Sequence, residues 1–254
     1  MLRPRIIPSL LIHNNGLVKT VNFKNPKYVG DPINAVKIFN EKEVDELVIF
    51  DIDATVLGKE PDYKLIEKLA CQSRMPLCYG GGVKTVEQAQ KIYSLGIEKI
   101  AISSAAINNP GLISEIAVKV GTQSVAVVLD IKRKFLRGYE IVTNNAKISI
   151  KLDPVEFALE AQELGAGEII INNVDKEGTL KGYDWELIDK FREVLHIPMT
   201  TLGGASSLEN IKEAIYRYEI MGLAAGSLFV FKGKHKAVLI NYPSKDEKEN
   251  LYKK

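Results

Sequence analysis

The stretch Pro76-Leu-Cys-Tyr-Gly-Gly-Gly-Val83 ends a short apolar run with three consecutive glycines, and a segment of helical period follows it. Glycines let the backbone approach an anion closely, and a strand–loop–helix junction of this kind suits a phosphate group. A second copy, Pro198-Met-Thr-Thr-Leu-Gly-Gly-Ala205, repeats the pattern. The matching glycines lie 122 positions apart (203 − 81), Gly81 with Gly203 and Gly82 with Gly204. The two copies predict two phosphate loops in a duplicated chain; the alternative is that the glycines only allow close helix-to-strand packing.

Eight short β-branched runs alternate with segments of helical period along the 254 residues. The strands are predicted near 5–12, 46–52, 76–80, 98–103, 124–131, 168–174, 198–202 and 222–226. Helices are predicted at 31–42, 63–73, 85–95, 110–120, 154–164, 184–194 and 207–218. This alternation is typical of α/β proteins with a parallel sheet. Eight regular units favour a single (β/α)8 TIM barrel over an open, doubly wound sheet.

The repeat extends beyond the glycines at the same offset. Asp45-Glu-Leu-Val-Ile resembles Gly167-Glu-Ile-Ile-Ile, and Ser104 matches Gly226 after the fourth and eighth strands. We therefore expect one domain over residues 1–254, built from two similar half-barrels at about 1–122 and 123–232. If each half carries a phosphate loop, the ligand is expected to be a bis-phosphate or a phosphosugar.

Three segments interrupt the βα pattern. Residues 13–30 form a long polar stretch, predicted to be a loop that could close over the barrel mouth. Residues 132–150 alternate around Asn144-Asn145 and predict an inserted β-hairpin. The C-terminal tail, 233–254, holds a strand-like run at 237–243 and then a charged end, for which no structure is predicted.

Composition excludes several classes of function. The formal net charge is +2, which gives no basic field for nucleic acid. With only Cys71 and Cys78, and three scattered histidines, neither a disulfide framework nor a metal centre is predicted, and no cofactor is expected. The N-terminus lacks the apolar run of a signal peptide, and no segment reaches the length of a membrane span. We expect a cytoplasmic protein that does not act at a membrane.

Catalytic groups of barrel enzymes lie at the C-terminal ends of the strands. Five carboxylates occupy such positions, namely Asp51, Asp53, Asp130, Asp175 and Glu177. Asp130 ends the run Val125-Ala-Val-Val-Leu-Asp and could act as a general acid or base, or pack against a loop. Asp51 could instead cap the following loop, and Asp175 could fix the Asp-Lys-Glu-Gly turn.

Several segments resemble the cyclase subunit of imidazole glycerol phosphate synthase, over about residues 2–231. They are Arg5-Ile-Ile-Pro, Gly30-Asp-Pro, Asp45-Glu-Leu-Val, Tyr79-Gly-Gly-Gly, Ser104-Ala-Ala, Gly165-Ala-Gly-Glu, Asp175-Lys-Glu-Gly-Thr and Gly203-Gly-Ala, with Lys19 in the first loop. The resemblance implies a (β/α)8 barrel that converts a bis-phosphorylated ribulosyl formimino aminoimidazole carboxamide ribonucleotide. It implies a heterodimer in which a glutaminase subunit docks on the N-terminal face and supplies ammonia. Implied substrate or phosphate contacts are Lys19, Asp51, Gly81, Gly82, Ser104, Asp175, Glu177, Gly203, Gly204, Gly226 and Ser227.

The resemblance also implies a gate for ammonia, a ring of alternating charges at the N-terminal face. It falls on Arg5, Glu46, Lys99 and Glu168, each near the start of an otherwise apolar strand. Such charges cost desolvation energy unless they pair. The alternative is four unconnected, solvated charges.

The catalytic end departs from the family pattern. The family uses two aspartates at matching places in the two halves; Asp130 is one, but Leu11 stands at the partner position. A leucine cannot transfer a proton, and loss of one acid–base partner commonly costs about 10²–10⁴-fold in rate. Other departures are Asp53 and Ser103 for Thr and Asn, Asn172-Asn173 for Thr-Ser, and Val230 for His.

We therefore expect a paralogue, similar to barrels encoded with surface-polysaccharide genes, that takes ammonia from a glutaminase and delivers it to a further sugar-modifying amidotransferase. One alternative is a cyclase in which Asp51, Asp53 or Glu177 replaces the missing aspartate. Another is a non-catalytic phosphate-binding scaffold. The related ribonucleotide isomerases fit less well, because their reaction does not require a gate for ammonia at the N-terminal face.

Overall fold

The computed structural model describes residues 3–136, 138–233 and 235–253. Its strands are β1 (Arg5–His13), β2 (Gly16–Val21), β3 (Lys24–Gly30), β4 (Leu47–Asp51), β5 (Leu77–Gly80), β6 (Lys99–Ile102), β7 (Val125–Arg133), β8 (Tyr139–Thr143), β9 (Ile148–Ile150), β10 (Glu168–Asn173), β11 (Met199–Leu202), β12 (Gly222–Ala225), β13 (Phe231–Lys232) and β14 (Ala237–Val238). Its α-helices are α1 (Pro32–Glu41), α2 (Tyr63–Gln72), α3 (Val86–Ser94), α4 (Ser104–Asn108), α5 (Gly111–Val120), α6 (Pro154–Glu163), α7 (Trp185–Arg192), α8 (Leu208–Tyr218), α9 (Ser227–Val230) and α10 (Lys245–Tyr252).

Eight parallel strands close on themselves in the order β1, β4, β5, β6, β7, β10, β11, β12. The sheet closes because β12 pairs with β1, through Ile6↔Leu223 and its neighbours. Helices connect successive barrel strands, so the predicted (β/α)8 TIM barrel is confirmed. The strands read as continuous apolar runs because both of their faces are buried.

Two apolar layers pack on the two faces of this sheet. The larger one lies between strands and helices and includes Phe39, Phe191 and Phe229. The smaller one fills the inside of the barrel, with Ile7, Val48, Cys78, Ala101, Ala126, Val128, Ile170, Leu202 and Ala224. We call this second set the inner layer.

The helices begin where short polar residues satisfy their first free N–H groups. Asp31, Asp62, Thr85 and Ser207 each accept a hydrogen bond from the third residue of the helix they precede. The longest helix, α8, has 11 residues. Within the described ranges, no helix is long and apolar enough to cross a membrane.

Residues 13–30 form a β-hairpin, so the expectation of a long irregular loop was wrong. Strand β2 pairs antiparallel with β1 through Leu11↔Val18, and β3 pairs with β2. The two tight turns contain Asn14, Asn15, Asn22 and Phe23, all with positive φ. Asparagine tolerates this conformation, so the Asn-Asn pair at the first turn is a hairpin signal that sequence reasoning missed.

A second hairpin, β8–β9, follows β7, and the two hairpins cross the barrel mouth in opposite directions. The Asn22 side-chain amide donates to the carbonyl oxygen of Val174 at 3.0 Å. The Asn145 amide donates to the carbonyl oxygen of Ile52 at 3.2 Å. The two acceptors lie 122 positions apart (174 − 52), the same offset as the glycine loops. Each half-barrel therefore extends one hairpin onto the other half.

The C-terminal tail contributes an eighth barrel helix, α10, which packs against α8. A reciprocal cap starts it: Ser244 accepts from the Glu247 backbone and Glu247 accepts from the Ser244 backbone. Tyr242 donates its hydroxyl to the Ile6 carbonyl at 2.8 Å, and Lys248 bonds Asp45 at 2.8 Å. The tail thus stabilises the start of β1.

Candidate functional site

Four charged side chains close the N-terminal end of the barrel. Arg5 bonds Glu46, and its Nη2 lies 2.7 Å from Glu168 Oε1. Lys99 Nζ lies 2.9 Å from Glu46 Oε1 and 2.7 Å from Glu168 Oε2. The four residues predicted to form a gate are therefore one closed ring of alternating charge, which we call the gate ring.

Mutual pairing offsets the burial of the charges in the gate ring. Burial alone would raise the pKa of Glu168, but attraction to Lys99 and Arg5 brings it down to about 2. Burial alone would lower the pKa of Lys99, yet Glu168 and Glu46 hold it above its ordinary value. The carboxylates of Glu46 and Glu168 are 4% and 3% exposed, so each depends on its two partners for solvation.

A fifth residue, Thr200, supports the ring from the wall of the barrel. Its hydroxyl donates to Glu168 Oε1, the oxygen that also accepts from Arg5. Gly222 makes room for it, because a Cβ at that position would lie 1.8 Å from Thr200 Oγ1. Thr200 was missed from the sequence because an inward threonine looks like any other strand residue.

The inner layer lies directly above the gate ring and separates it from a cavity at the other end. Four residues of β1 point into the barrel. Arg5 belongs to the gate ring, Ile7 belongs to the inner layer, and Ser9 and Leu11 line the cavity. On β10 the same order runs through Glu168, Ile170 and Asn172. A continuous axis therefore leads from charge through apolar side chains to a polar cavity.

Asp130 is the carboxylate most altered by its surroundings in the cavity. Burial raises the pKa of Asp130 to about 6, and the nearby charge of Glu177 adds to the increase. The amide of Asn172 opposes the increase by donating a hydrogen bond to Asp130 Oδ1 at 2.8 Å. A carboxyl group with such a pKa can exchange protons near neutral pH. The role of Asp130 as a general acid or base stays a prediction, which its burial in the cavity and its raised pKa support.

Leu11 lines the same cavity, and its side chain is 9% exposed. No proton-transfer group takes its place on β1 within the cavity, where the neighbouring inward residue is Ser9. The structure therefore places Leu11, on β1, and Asp130, on β7, in the lining of one cavity.

Comparison with known proteins agrees with this architecture. A model of the histidine biosynthesis protein family matches residues 5–236. The chain belongs to that family. It is 53% identical over 253 residues to a protein of Leptospira interrogans provisionally named imidazole glycerol phosphate synthase subunit HisF, covering 99% of this chain and 100% of the relative. Provisionally named HisF subunits of Vibrio vulnificus (hisF3) and Pseudomonas aeruginosa (hisF2) are 54% and 49% identical, covering 98% and 96% of this chain and 96% and 97% of theirs.

The chain is thus a divergent HisF-like paralogue, and its two glycine loops both border the cavity of the HisF-like barrel. Gly81 and Gly203 have φ of +133° and +99°. A Cβ on Gly81 would lie 2.6 Å from the Asp51 carbonyl oxygen, and one on Gly203 would lie 2.5 Å from that of Asn173. The glycines are therefore required for packing as well as leaving backbone free to approach a ligand. Gly82, Gly204, Ser104 and Ser227 line the same cavity.

Lys19 places a buried cation at one side of the cavity. It lies on β2, is buried, and donates from Nζ to the Ser9 carbonyl at 3.3 Å, with Glu177 Oε1 at 4.0 Å. Burial lowers its pKa, and Glu177 partly offsets this. A Cβ on Gly226 would lie 2.0 Å from Nζ, so the ammonium group lies beside the loop that follows β12. That loop has a buried cation within reach, which suits an anionic group of a ligand.

Asp175 lies outside the residues that line the cavity, and its place among the ligand contacts stays a prediction. It is exposed, and its carboxylate accepts a hydrogen bond from the Arg133 backbone at 2.8 Å. Two residues on, Glu177 turns inward and accepts from the Thr20 hydroxyl at 2.9 Å. Asp175 thus fixes the turn, the alternative that its sequence allowed.

A further polar cluster at the mouth was missed from the sequence. His13 Nδ1 lies 2.6 Å from Asp53 Oδ1, and the Asn14 backbone donates to Asp53 Oδ2 at 2.8 Å. These contacts join the end of β1 to the loop after β4. Asp51 lines the cavity, but its Oδ1 caps the same loop by accepting from the backbones of Asp53 and Ala54. In the described part of the chain, no group of three His, Cys, Asp or Glu could hold a metal ion.

Replacing Asp130 with asparagine is expected to stabilise the fold at neutral pH. The folded pKa lies above the unfolded one, so ionisation costs stability as pH rises from about 4 to 6. An asparagine keeps an oxygen for Asn172 but carries no charge, which should raise the free energy of unfolding by about 2–3 kcal/mol at pH 8. Urea unfolding at pH 8 and at lower pH measures this. If the free energy of unfolding rises by the same amount at both pH values, the charge of Asp130 is not the cause of the increase.

Proposed function

We propose that this HisF-like paralogue is the ammonia-accepting barrel subunit of a glutamine amidotransferase and delivers ammonia for amidation or acetamidino formation on a sugar. The observation that carries the proposal is the pairing of an intact gate ring with a cavity in which Leu11 replaces a proton-transfer group. A closed ring of buried charges costs desolvation energy, so its presence supports a role at that end of the barrel.

The inner layer supports passage of a neutral molecule. Its side chains are alkyl groups and one buried thiol, Cys78, whose pKa burial raises well above its ordinary value. Such a lining favours ammonia over ammonium, because an ion would lose its hydration there. The glutaminase is expected to dock over the gate ring as a heterodimer partner, and a further sugar-modifying enzyme is expected to receive the ammonia. The numbered names of two relatives, hisF2 and hisF3, fit genomes that hold more than one such barrel.

Co-expression with a glutaminase encoded in the same genome tests the proposal. We expect a stable heterodimer and a higher rate of glutamine hydrolysis in the complex. Lys99→Ala, which opens the gate ring, should change the ratio of product amination to glutamine hydrolysis, whereas Lys119→Ala on the exposed face of α5 should not. Failure to bind or activate any glutaminase of that genome would refute the proposal. Activation without a change of coupling in Lys99→Ala would favour a scaffold.

The second candidate is a cyclase of histidine biosynthesis. It is favoured by the retained Asp130 and by buried Glu177, a second carboxylate in the same cavity. Rescue of a histidine auxotroph that lacks the cyclase, with loss of rescue in Asp130→Asn, would decide for it. The sugar-linked role predicts no rescue.

A further inference from the structure

Two buried polar atoms in the cavity have no hydrogen-bond partner within the described residues. They are Ser9 Oγ and Asn172 Oδ1. Both side chains are almost fully buried, with exposures of 1% and 6%. Leaving a buried polar atom unpaired costs about 1–3 kcal/mol, so native proteins rarely do so without a reason. A small polar ligand that forms hydrogen bonds with these two atoms would remove this cost.

The position of these atoms indicates which ligand. Ser9 is the next inward residue after Ile7 on β1, and Asn172 is the next after Ile170 on β10. Each lies two residues, or about 6.6 Å along its strand, above an inner-layer side chain. A molecule that passes through the inner layer therefore meets these two residues among its first polar contacts, together with Asp130, which follows Val128 on β7, and Ser103, which follows Ala101 on β6.

Their hydrogen-bonding roles are fixed by their neighbours. Asp130 Oδ1 accepts from Asn172 Nδ2, so the free atom of this amide is its oxygen, an acceptor. The Ser9 hydroxyl can donate or accept. Asp130 adds a carboxylate beside Asn172. Together they offer acceptors for N–H groups and one hydroxyl that can donate to a lone pair, which is the complement of ammonia.

Groups of both charge signs lie around these atoms. Lys19 Nζ lies 3.3 Å from the carbonyl oxygen of Ser9, and Asp130 adds a carboxylate beside Asn172. The apolar inner layer therefore selects the form that arrives, because an ion would lose its hydration there and a neutral molecule would not. We propose that Ser9 and Asn172, with Asp130, form a receiving site for neutral ammonia where the inner layer opens into the cavity. The site rests on the proposed passage of ammonia through the barrel.

Nuclear magnetic resonance of the full ¹⁵N-labelled chain tests the site without a glutaminase. At about pH 9, where amines begin to lose their protons, ammonium chloride should shift the Asn172 side-chain amide signal in a saturable way, and sodium chloride should not. The side-chain amide of Asn40, which donates to the Gln72 carbonyl oxygen away from the cavity, is an internal control. Ser9→Ala should weaken the apparent affinity about tenfold, as expected for one lost hydrogen bond. The matched surface variant Ser94→Ala should leave it unchanged.

Absence of a saturable Asn172 shift in the wild-type chain would overturn the site, and so would equal affinity in Ser9→Ala. The amide spectrum of each variant shows whether it is folded. A chain that binds and activates a glutaminase, yet shows no ammonia-dependent shift, would retain the proposed function and lose the receiving site. A chain that shows the ammonia-dependent shift but binds no glutaminase would retain the receiving site and lose the proposed function.

Discussion

Arg5→Ala is expected to lower the free energy of unfolding by about 3 kcal/mol, because it leaves Glu46 and Glu168 with one cation between them. Both carboxylates are buried, and Lys99 cannot compensate two full charges. Thr200 would retain its bond to Glu168 but offers no charge. Urea unfolding at neutral pH, followed by circular dichroism, measures the effect.

Arg3→Ala is the matched control for this experiment. Arg3 also forms an ion pair, with Glu249 at 2.9 Å, but the two side chains are 63% and 45% exposed. Exposed pairs contribute about 0–1 kcal/mol, so this variant should unfold almost like the wild type. Equal losses in the two variants would mean that the gate ring is not the source of the effect.

Leu11→Asp is expected to raise ammonium-dependent turnover of the bis-phosphorylated ribulosyl substrate by about 10²-fold or more. The change puts a carboxylate at the position on β1 where the family pattern has one, in the cavity that Asp130 lines. A positioned acid–base group contributes about 10²–10⁴-fold to a rate. Turnover of the purified barrel with ammonium chloride, without a glutaminase, is the direct measurement.

Leu11→Asn separates proton transfer from shape, since asparagine matches aspartate in size but does not titrate near neutral pH. It should remain as slow as the wild type, and Asp130→Asn in the Leu11→Asp chain should abolish the gain. If Leu11→Asp turns over no faster than the wild type, the missing carboxylate is not what limits cyclisation. The other departures from the family pattern, such as Asn172 and Val230, would then limit the rate of cyclisation.

The barrel could be predicted from sequence because its signals are repeated and local. Apolar runs bounded by glycine or proline fixed the eight strands, and capping residues such as Asp31 and Ser207 marked the helices. The first hairpin was missed because its buried strand, β2, carries Lys19 and Thr20 and so looks like a polar loop. Helix α10 was missed although Ser244 and Glu247 have the spacing of a reciprocal cap.

The candidate site was only partly predictable. The family resemblance located Leu11 at the partner position of Asp130 and indicated the gate residues. Neither could show that Asp175 turns outward while Glu177 turns inward, because both lie in one short turn. Unpaired atoms such as Ser9 Oγ become visible only when every neighbour has a position in space.

The two crossed hairpins hold the mouth with unequal strength. At the first tip Asn22 bonds the carbonyls of Val174 and Asp175 and donates its backbone N–H to Glu177. At the second tip, the described contacts across the mouth reduce to the single Asn145 bond to Ile52. Thermal opening should therefore favour the second hairpin, because fewer bonds must break. The second hairpin is therefore the part of the mouth that we expect to move first, and its movement would widen the cavity entrance beside the loop after β4.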